Sequence, residues 1–335
     1  MSILRVGLSG CGEAGLQLVR GAQAARAHGD IEVVALHDDE PQRLAHAQQA
    51  TGIRLGTGDF RQLLATGVDF VVLAGPTTDR RQQVQEASEQ AAPCLVHTPL
   101  AADLATAEQL MQIAQAHGLP LGVIVPAHHD PLYEQVRRML ATDWLGGLVS
   151  VQALAGDDAL LRAPGELRLH PFVERAGPLL HTVSWLCGRS VLSVTAQTVQ
   201  GYGPADDGGV ATALLRGNVL ATFAASHTTA ARALALHGTD GGVRVAGDRI
   251  WLRGRSTFHG TVFDYPEAGV EVVLDRRDLT DALTTAATAI EPLGCFARAL
   301  DDRDDFPCSG EQALQDLRAI DAMVRAARSG RREVP

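Results

Sequence analysis

The stretch Ile3-Leu4-Arg5-Val6-Gly7-Leu8-Ser9-Gly10-Cys11-Gly12-Glu13-Ala14-Gly15 decides how this chain folds. Its apolar run, Ile3–Leu8, reads as a strand buried on both faces. The run leads straight into a G-x-G-x-x-G, and a helical pattern opens near Ala14. Gly10 allows the tight turn, Gly12 lets a diphosphate approach the backbone, and Gly15 lets helix and strand pack closely. The diphosphate would sit at the helix N-terminus, where free N–H groups and the helix dipole favour an anion. Asp38, at the end of the next strand and 23 residues after Gly15, suits the adenosine ribose hydroxyls. Asp38 and Asp39 would repel a 2′-phosphate, and no arginine follows directly to bind one. NAD is therefore favoured over NADP.

Working outward, the same signature recurs. Apolar runs lie at Ile31–Leu36, Phe70–Ala74, Cys94–His97 and Leu121–Val125. Helical segments separate them: Ala14–His28, Glu40–Ala50 with Asp39 as its cap and Pro41 in its first turn, and Asp103–His117. This alternation implies an α/β, doubly wound parallel sheet over residues 1–125. After Val125-Pro126 the pattern changes. A short helix from about Pro131 to Ala141 precedes strand candidates at Leu148–Leu154, Val191–Val199, Val210–Leu215, Val219–Ala225, Arg232–Leu236 and Val270–Leu274. A second α/β domain over 126–335, with a large open and mostly antiparallel sheet, is expected. Its last helix is capped by Ser309 and Gln312 and runs to Gly330.

Composition narrows the partners. The chain has 335 residues, enough for two domains, and 46% of them are apolar. A formal net charge of −10 argues against nucleic acid or an anionic membrane surface as partner. No apolar run approaches the roughly 18 residues of a membrane span, and nothing at the N-terminus reads as a signal peptide. Five scattered cysteines indicate neither a disulfide framework nor a cysteine zinc site, so a cytoplasmic location is expected. All 29 basic residues are arginines; the chain contains no lysine.

The order and spacing of these motifs resemble the Gfo/Idh/MocA family of oxidoreductases. The resemblance rests on Val6–Gly15, on Val33–Arg43 (VVALHDDEPQR), on Asp69–Pro76 (DFVVLAGP), on Ala235–Val245 (ALHGTDGGVRV) and on Glu291–Arg328. It implies an N-terminal Rossmann domain and a C-terminal α/β domain whose open sheet packs against another subunit, giving a dimer or tetramer. It also implies hydride transfer between NAD and a small polar molecule (a sugar, a cyclitol or another carbonyl or imine compound) held in an inter-domain cleft. Cofactor contacts would come from Gly10, Gly12, Glu13, Ala14, Asp38, Ala74, Pro76, Thr98 and His97.

Three places depart from the family pattern. The family lysine of E-K-P is replaced in His97-Thr98-Pro99, and arginine cannot serve as a proton donor at neutral pH. The motif V-G-x-N-R-R-F-D-P becomes Val123–Pro131, which contains His128 and His129. The helix motif D-x-G-x-H-x-x-D becomes Glu174–Gly188 (ERAGPLLHTVSWLCG). Counting back from Trp185 puts His181 at the last aspartate; a shift by one turn puts it at the histidine. Both alignments stand. Histidines thus gather where family residues are lost, and histidine titrates near neutral pH. His181, or His97 bonded to Thr98, is the candidate proton donor or acceptor, with Thr98 dependent on such help. His128 and His129 are candidates for substrate contact. No metal site is expected, because adjacent histidines point apart and no ligand spacing such as H-E-x-x-H occurs. Ser226-His227 reads as a strand end, able to face a partner subunit. A competing reading keeps the dinucleotide loop but drops catalysis, leaving a sensor or assembly protein.

Overall fold

A computed structural model describes residues 3–25, 31–158, 169–201, 205–254, 271–276, 292–301 and 305–335. The five apolar runs of the first part become strands that end within one residue of expectation. They are β1 (Leu4–Ser9), β2 (Ile31–His37), β4 (Phe70–Leu73), β5 (Cys94–His97) and β6 (Leu121–Ile124), with a two-residue edge strand β3 (Gly56–Thr57). Every pairing is parallel, in the order β3-β2-β1-β4-β5-β6. Strand order reverses between β1 and β4. Their carboxyl ends therefore border the crevice where ligands of open α/β sheets bind.

The helices of this sheet are α1 (Glu13–Ala25), α2 (Pro41–Thr51), α3 (Phe60–Leu64), α4 (Arg80–Glu89) and α5 (Leu104–Ala116). The expected end of α1 at His28 lies outside the described residues. Asp103, read from the sequence as the first residue of α5, is its cap instead, its Oδ1 accepting from the Thr106 amide at 2.8 Å. The Asp39 cap of α2 does not form. The cap position falls on Glu40, whose own amide is held by Asp38 Oδ1 at 2.9 Å. With Asp38 holding the Glu40 amide, Asp39 stands one residue outside the cap position.

Later elements are α6 (Pro131–Ala141), β7 (Leu148–Gly156), a π-helical turn (Phe172–Ala176) and α7 (Gly177–Cys187). The strands β8 (Val191–Val199), β9 (Gly208–Leu215), β10 (Val219–Ser226), β11 (Ala231–Gly238), β12 (Gly241–Ala246), β13 (Arg249–Gly254) and β14 (Glu271–Asp275) follow. They form one sheet with β7, in the order β14-β13-β12-β11-β7-β10-β9-β8. Only β7 and β10 pair in parallel. The residue alternation is clean. Val151, Ala153, Phe223, Leu234, Leu236 and Val243 are buried, while Leu154, Val199, Val210, Leu220 and Val273 stand exposed on the opposite face.

Two final helices are α8 (Pro292–Leu300) and α9 (Gly310–Ser329). Contacts divide the chain into one unit of Met1–Val125 with Ala286–Leu314, and another of Pro126–Thr285 with Gln315–Pro335. The sequence assigned everything after residue 125 to the second domain. In the structure α8 returns to the first unit, where Leu293, Phe296 and Ala297 join the core around Val6, Phe70 and Leu95. Phe296 meets Phe70 and Phe306 edge-on, each at 5.3 Å between centroids. Burying such a ring contributes about 1.5–3 kcal/mol. The apolar stripe of so short a helix does not encode which sheet it covers. Ser309 caps α9, accepting from the Gln312 amide at 3.2 Å.

Candidate dinucleotide and proton-transfer sites

The glycine loop is built as its spacing implies. Gly10 has φ +97°, and a Cβ there would collide with the Gly75 backbone in the loop after β4. A Cβ on Gly15 would run into the Gly10 carbonyl, so α1 starts tight against the loop. Gly12 is different: a Cβ there would meet nothing within 4 Å. The first helical bond runs from the Leu16 amide to the Gly12 carbonyl at 2.9 Å, so the amides from Gly12 to Gly15 lack helical acceptors. Open space beside a glycine at a helix N-terminus fits a diphosphate. Glu13 does not fill that space with its charge directed inward: its Oε1 accepts from Gln17 at 2.9 Å along the helix.

Asp38 is buried and heavily used. Its Oδ2 accepts from the Cys11 amide at 2.8 Å; its Oδ1 accepts from the Glu40 amide and from Arg43 Nε at 3.0 Å. The loop and the end of β2 are thereby locked together. Arg43, five residues on, was not foreseen from the sequence, because it reaches back across the first turn of α2. It pairs with Asp38 at 3.0 Å and with Glu40 at 2.5 Å. Cys11 is buried within the protein itself. Burial first, and then the Asp38 carboxylate, push its thiol up to about 12, so it stays protonated.

The loops after β4 and β5 carry Ala74, Pro76, His97 and Thr98. His97 Nδ1 lies 3.0 Å from the Thr98 carbonyl oxygen, to which it donates. The Thr98 hydroxyl is buried with no partner among the described residues, so His97 does not activate it. Burial lowers the His97 imidazole below its usual range, and nearby Arg80 lowers it further against that backbone hydrogen bond. The Thr98–Pro99 peptide is cis.

The second unit gathers two of the remaining candidates. His181 on α7 is 3% exposed, and its Nδ1 lies 2.7 Å from Asp316 Oδ2 on α9. Ser184, one turn on, donates to Asp316 Oδ1 at 2.7 Å. The buried carboxylate fixes the tautomer and leaves Nε2 as the atom that can take or give a proton. The His181 carbonyl accepts from His128 Nε2 at 3.3 Å. His128 stacks on Trp185 at 4.6 Å and 22°, and Arg137 covers the Trp185 ring at 4.8 Å. Burial above all, with the neighbouring His181 and His129, holds His128 well below the usual imidazole range, so it is neutral. Its Nδ1 is buried without a partner among the described residues. His129 is only half-buried.

Sequence reasoning missed a second cluster in this unit. Arg175, in the π-helical turn, lies 2.5 Å from both Asp157 and Glu174. Its Nε donates to His227 Nδ1 at 3.4 Å, and His227 Nε2 donates to the Leu169 carbonyl at 3.3 Å. His227 is 2% exposed rather than facing outward, because β10 ends at Ser226 and its alternation stops there. His170 meets Asp206 at 3.1 Å. Among the described residues no group of three or more His, Cys, Asp or Glu is arranged to hold a metal ion. No described helix is long and apolar enough to cross a membrane.

Comparison with known proteins bears on the fold and on the first part of the chain. Residues 4–125 match the model of an oxidoreductase family with an NAD-binding Rossmann fold, GFO_IDH_MocA. A myo-inositol dehydrogenase of Streptomyces leeuwenhoekii is 29% identical over 202 residues, which cover 58% of each chain. The chain thus spans little more than half of that relative. Among solved structures, an NAD-binding oxidoreductase of Klebsiella pneumoniae superposes with a TM-score of 0.83 at 17% identity, over 99% of both chains. A scyllo-inositol dehydrogenase of Lactobacillus casei, solved with NAD(H) and scyllo-inositol, gives 0.76 at 17% identity, again over 99% of both. At such identities the likeness establishes the fold.

Proposed function

We propose that this chain, whose residues 4–125 match the GFO_IDH_MocA oxidoreductase model, is an NAD-dependent dehydrogenase or reductase of a sugar, an inositol or a related carbonyl or imine compound. The observation that carries this reading is the cradle at Gly12, open beside a helix N-terminus and braced by Asp38. Gly10, Gly12, Glu13 and Ala14 would line the diphosphate, and Asp38 the adenosine ribose. Ala74, Pro76, His97 and Thr98 would flank the nicotinamide end. Bound there, NAD supplies a two-electron hydride acceptor or donor.

The protein's part is orientation and proton transfer. His181 is the proposed acid–base, oriented by Asp316 and Ser184. In the oxidative direction its Nε2 takes the substrate hydroxyl proton as hydride leaves the carbon. The imidazolium so formed is stabilised by the Asp316 carboxylate. His128, stacked and neutral, supports the His181 backbone from inside, and half-buried His129 is the better placed of the two for substrate contact. The exposed apolar face of the second sheet, with Leu154, Val199, Val210, Leu220 and Val273, is the proposed contact with another copy of the chain. Light scattering on Leu220→Glu should then show smaller particles than wild type.

One observation favours a second reading, a dinucleotide-binding sensor without turnover: the hydroxyl of Thr98, which the sequence resemblance aligns with the family lysine, has no hydrogen-bond partner among the described residues. A panel of inositols, sugars and their keto forms, assayed with NAD or NADH by the change in NADH absorbance, separates the two. Turnover of one member supports the enzyme. Tight NAD binding with no turnover across the panel supports the sensor.

A further inference from the structure

Arg80 opens α4, yet it points into the protein and is 2% exposed. Its Nη2 donates to the Gly75 carbonyl at 3.0 Å, and its Nη1 donates to the carbonyls of Pro99 and Leu100, the latter at 3.2 Å. All three acceptors are neutral. Its Nε has no partner among the described residues, and no carboxylate there pairs with it. Buried cations are ordinarily paired, because an uncompensated charge in the interior is costly. Asp79, next in sequence, is exposed to solvent and makes no capping bond.

The place of this charge is informative. Gly75 touches the Gly10 turn of the phosphate loop, and Pro99 follows Thr98 directly. The guanidinium therefore ties together the loops at the carboxyl ends of β4 and β5, behind Ala74, Pro76 and Thr98. We propose that Arg80 is a positioning residue that also sets the redox preference of the dinucleotide site, favouring the reduced over the oxidised nicotinamide. The physical reason is charge. The oxidised ring carries one positive charge and the reduced ring none, so a buried cation behind the loops that would flank the ring disfavours only the oxidised form. In a chain without lysine, this buried arginine supplies positive potential at the point where the family's lysine motif is missing. Two further facts accord with it. Burial alone pushes the Arg80 guanidinium down to about 10, still charged at neutral pH, and Arg80 in turn lowers the His97 imidazole.

The inference rests on the cofactor reading above, and calorimetry separates the two. The full chain is titrated with NAD⁺ and with NADH, as wild type, Arg80→Lys and Arg80→Met. Wild type should bind NADH about tenfold more tightly than NAD⁺. Arg80→Lys should keep most of that ratio, and Arg80→Met should bring it close to one by tightening NAD⁺ relative to NADH. A wild-type ratio near one, or the wild-type ratio retained in Arg80→Met, overturns the inference and leaves the cofactor reading standing. If Arg80→Met does not fold, the wild-type ratio alone decides. Heat with neither nucleotide in wild type overturns the cofactor reading, and this inference with it.

Discussion

The glycine loop and the histidine cluster on α7 are built by opposite means. In the loop every important contact is local or runs between neighbouring strand ends: Gly10 against Gly75, Cys11 against Asp38. In the cluster the defining pair, His181 and Asp316, is separated by 135 residues of chain. The loop is made of absent side chains, which leave backbone amides open to an anion. The cluster is made of present ones, with His181 Nδ1 and the Ser184 hydroxyl both held by the Asp316 carboxylate. The two features depend on different residues, so a change in one need not alter the other.

That separation can be broken experimentally. The largest effect is expected from Asp316→Asn. Loss of the buried carboxylate leaves His181 free to adopt the wrong tautomer and its imidazolium unsupported. Turnover should fall about 10²–10³-fold while NAD affinity stays unchanged. A parallel loss of NAD affinity would show that the two sites are not independent.

Acid should act mainly on the histidine side. His128 is held well below its usual value of 6.5, and burial also lowers His97 and His170. From pH 6.5 downward the unfolded chain binds protons on these rings that the native protein does not. Stability is therefore complete above about 6.5 and is lost as the pH falls. The melting temperature should drop between about pH 7 and pH 5, and His128→Gln should flatten that slope. An unchanged slope in the variant would shift the acid response elsewhere.

The smallest effect is expected from Thr98→Val. The hydroxyl it removes is buried and unpartnered, so stability should stay within about 1 kcal/mol or improve. Turnover should stay within about threefold of wild type, given that His181 rather than Thr98 moves the proton. A large loss of turnover would return Thr98 to the catalytic group.

These differences also explain what the sequence could reveal. Strands buried on both faces announce themselves as apolar runs, and Cys94–His97 falls where its pattern places it. Asp38 and the three glycines are legible because their roles depend on fixed spacing along β1, α1 and β2. Asp316 is not, since nothing near it in the chain distinguishes it from other carboxylates of a solvated helix. Arg80 was hidden for a related reason: an arginine at a helix start ordinarily points outward, and only tertiary contacts turn it in. The return of α8 to the first core and the burial of His227 were likewise settled by packing rather than by periodicity.

The account depends most on a diphosphate docking beside Gly12. Calorimetric titration of NADH into wild type and Gly12→Val tests this directly. Because a Cβ added there meets nothing within 4 Å, the variant should keep a melting temperature close to the wild-type value. Its affinity for NADH should fall by about 100-fold, since the same side chain would occupy the space of the diphosphate. Equal heats of binding for the two proteins, or no heat in wild type, would contradict it.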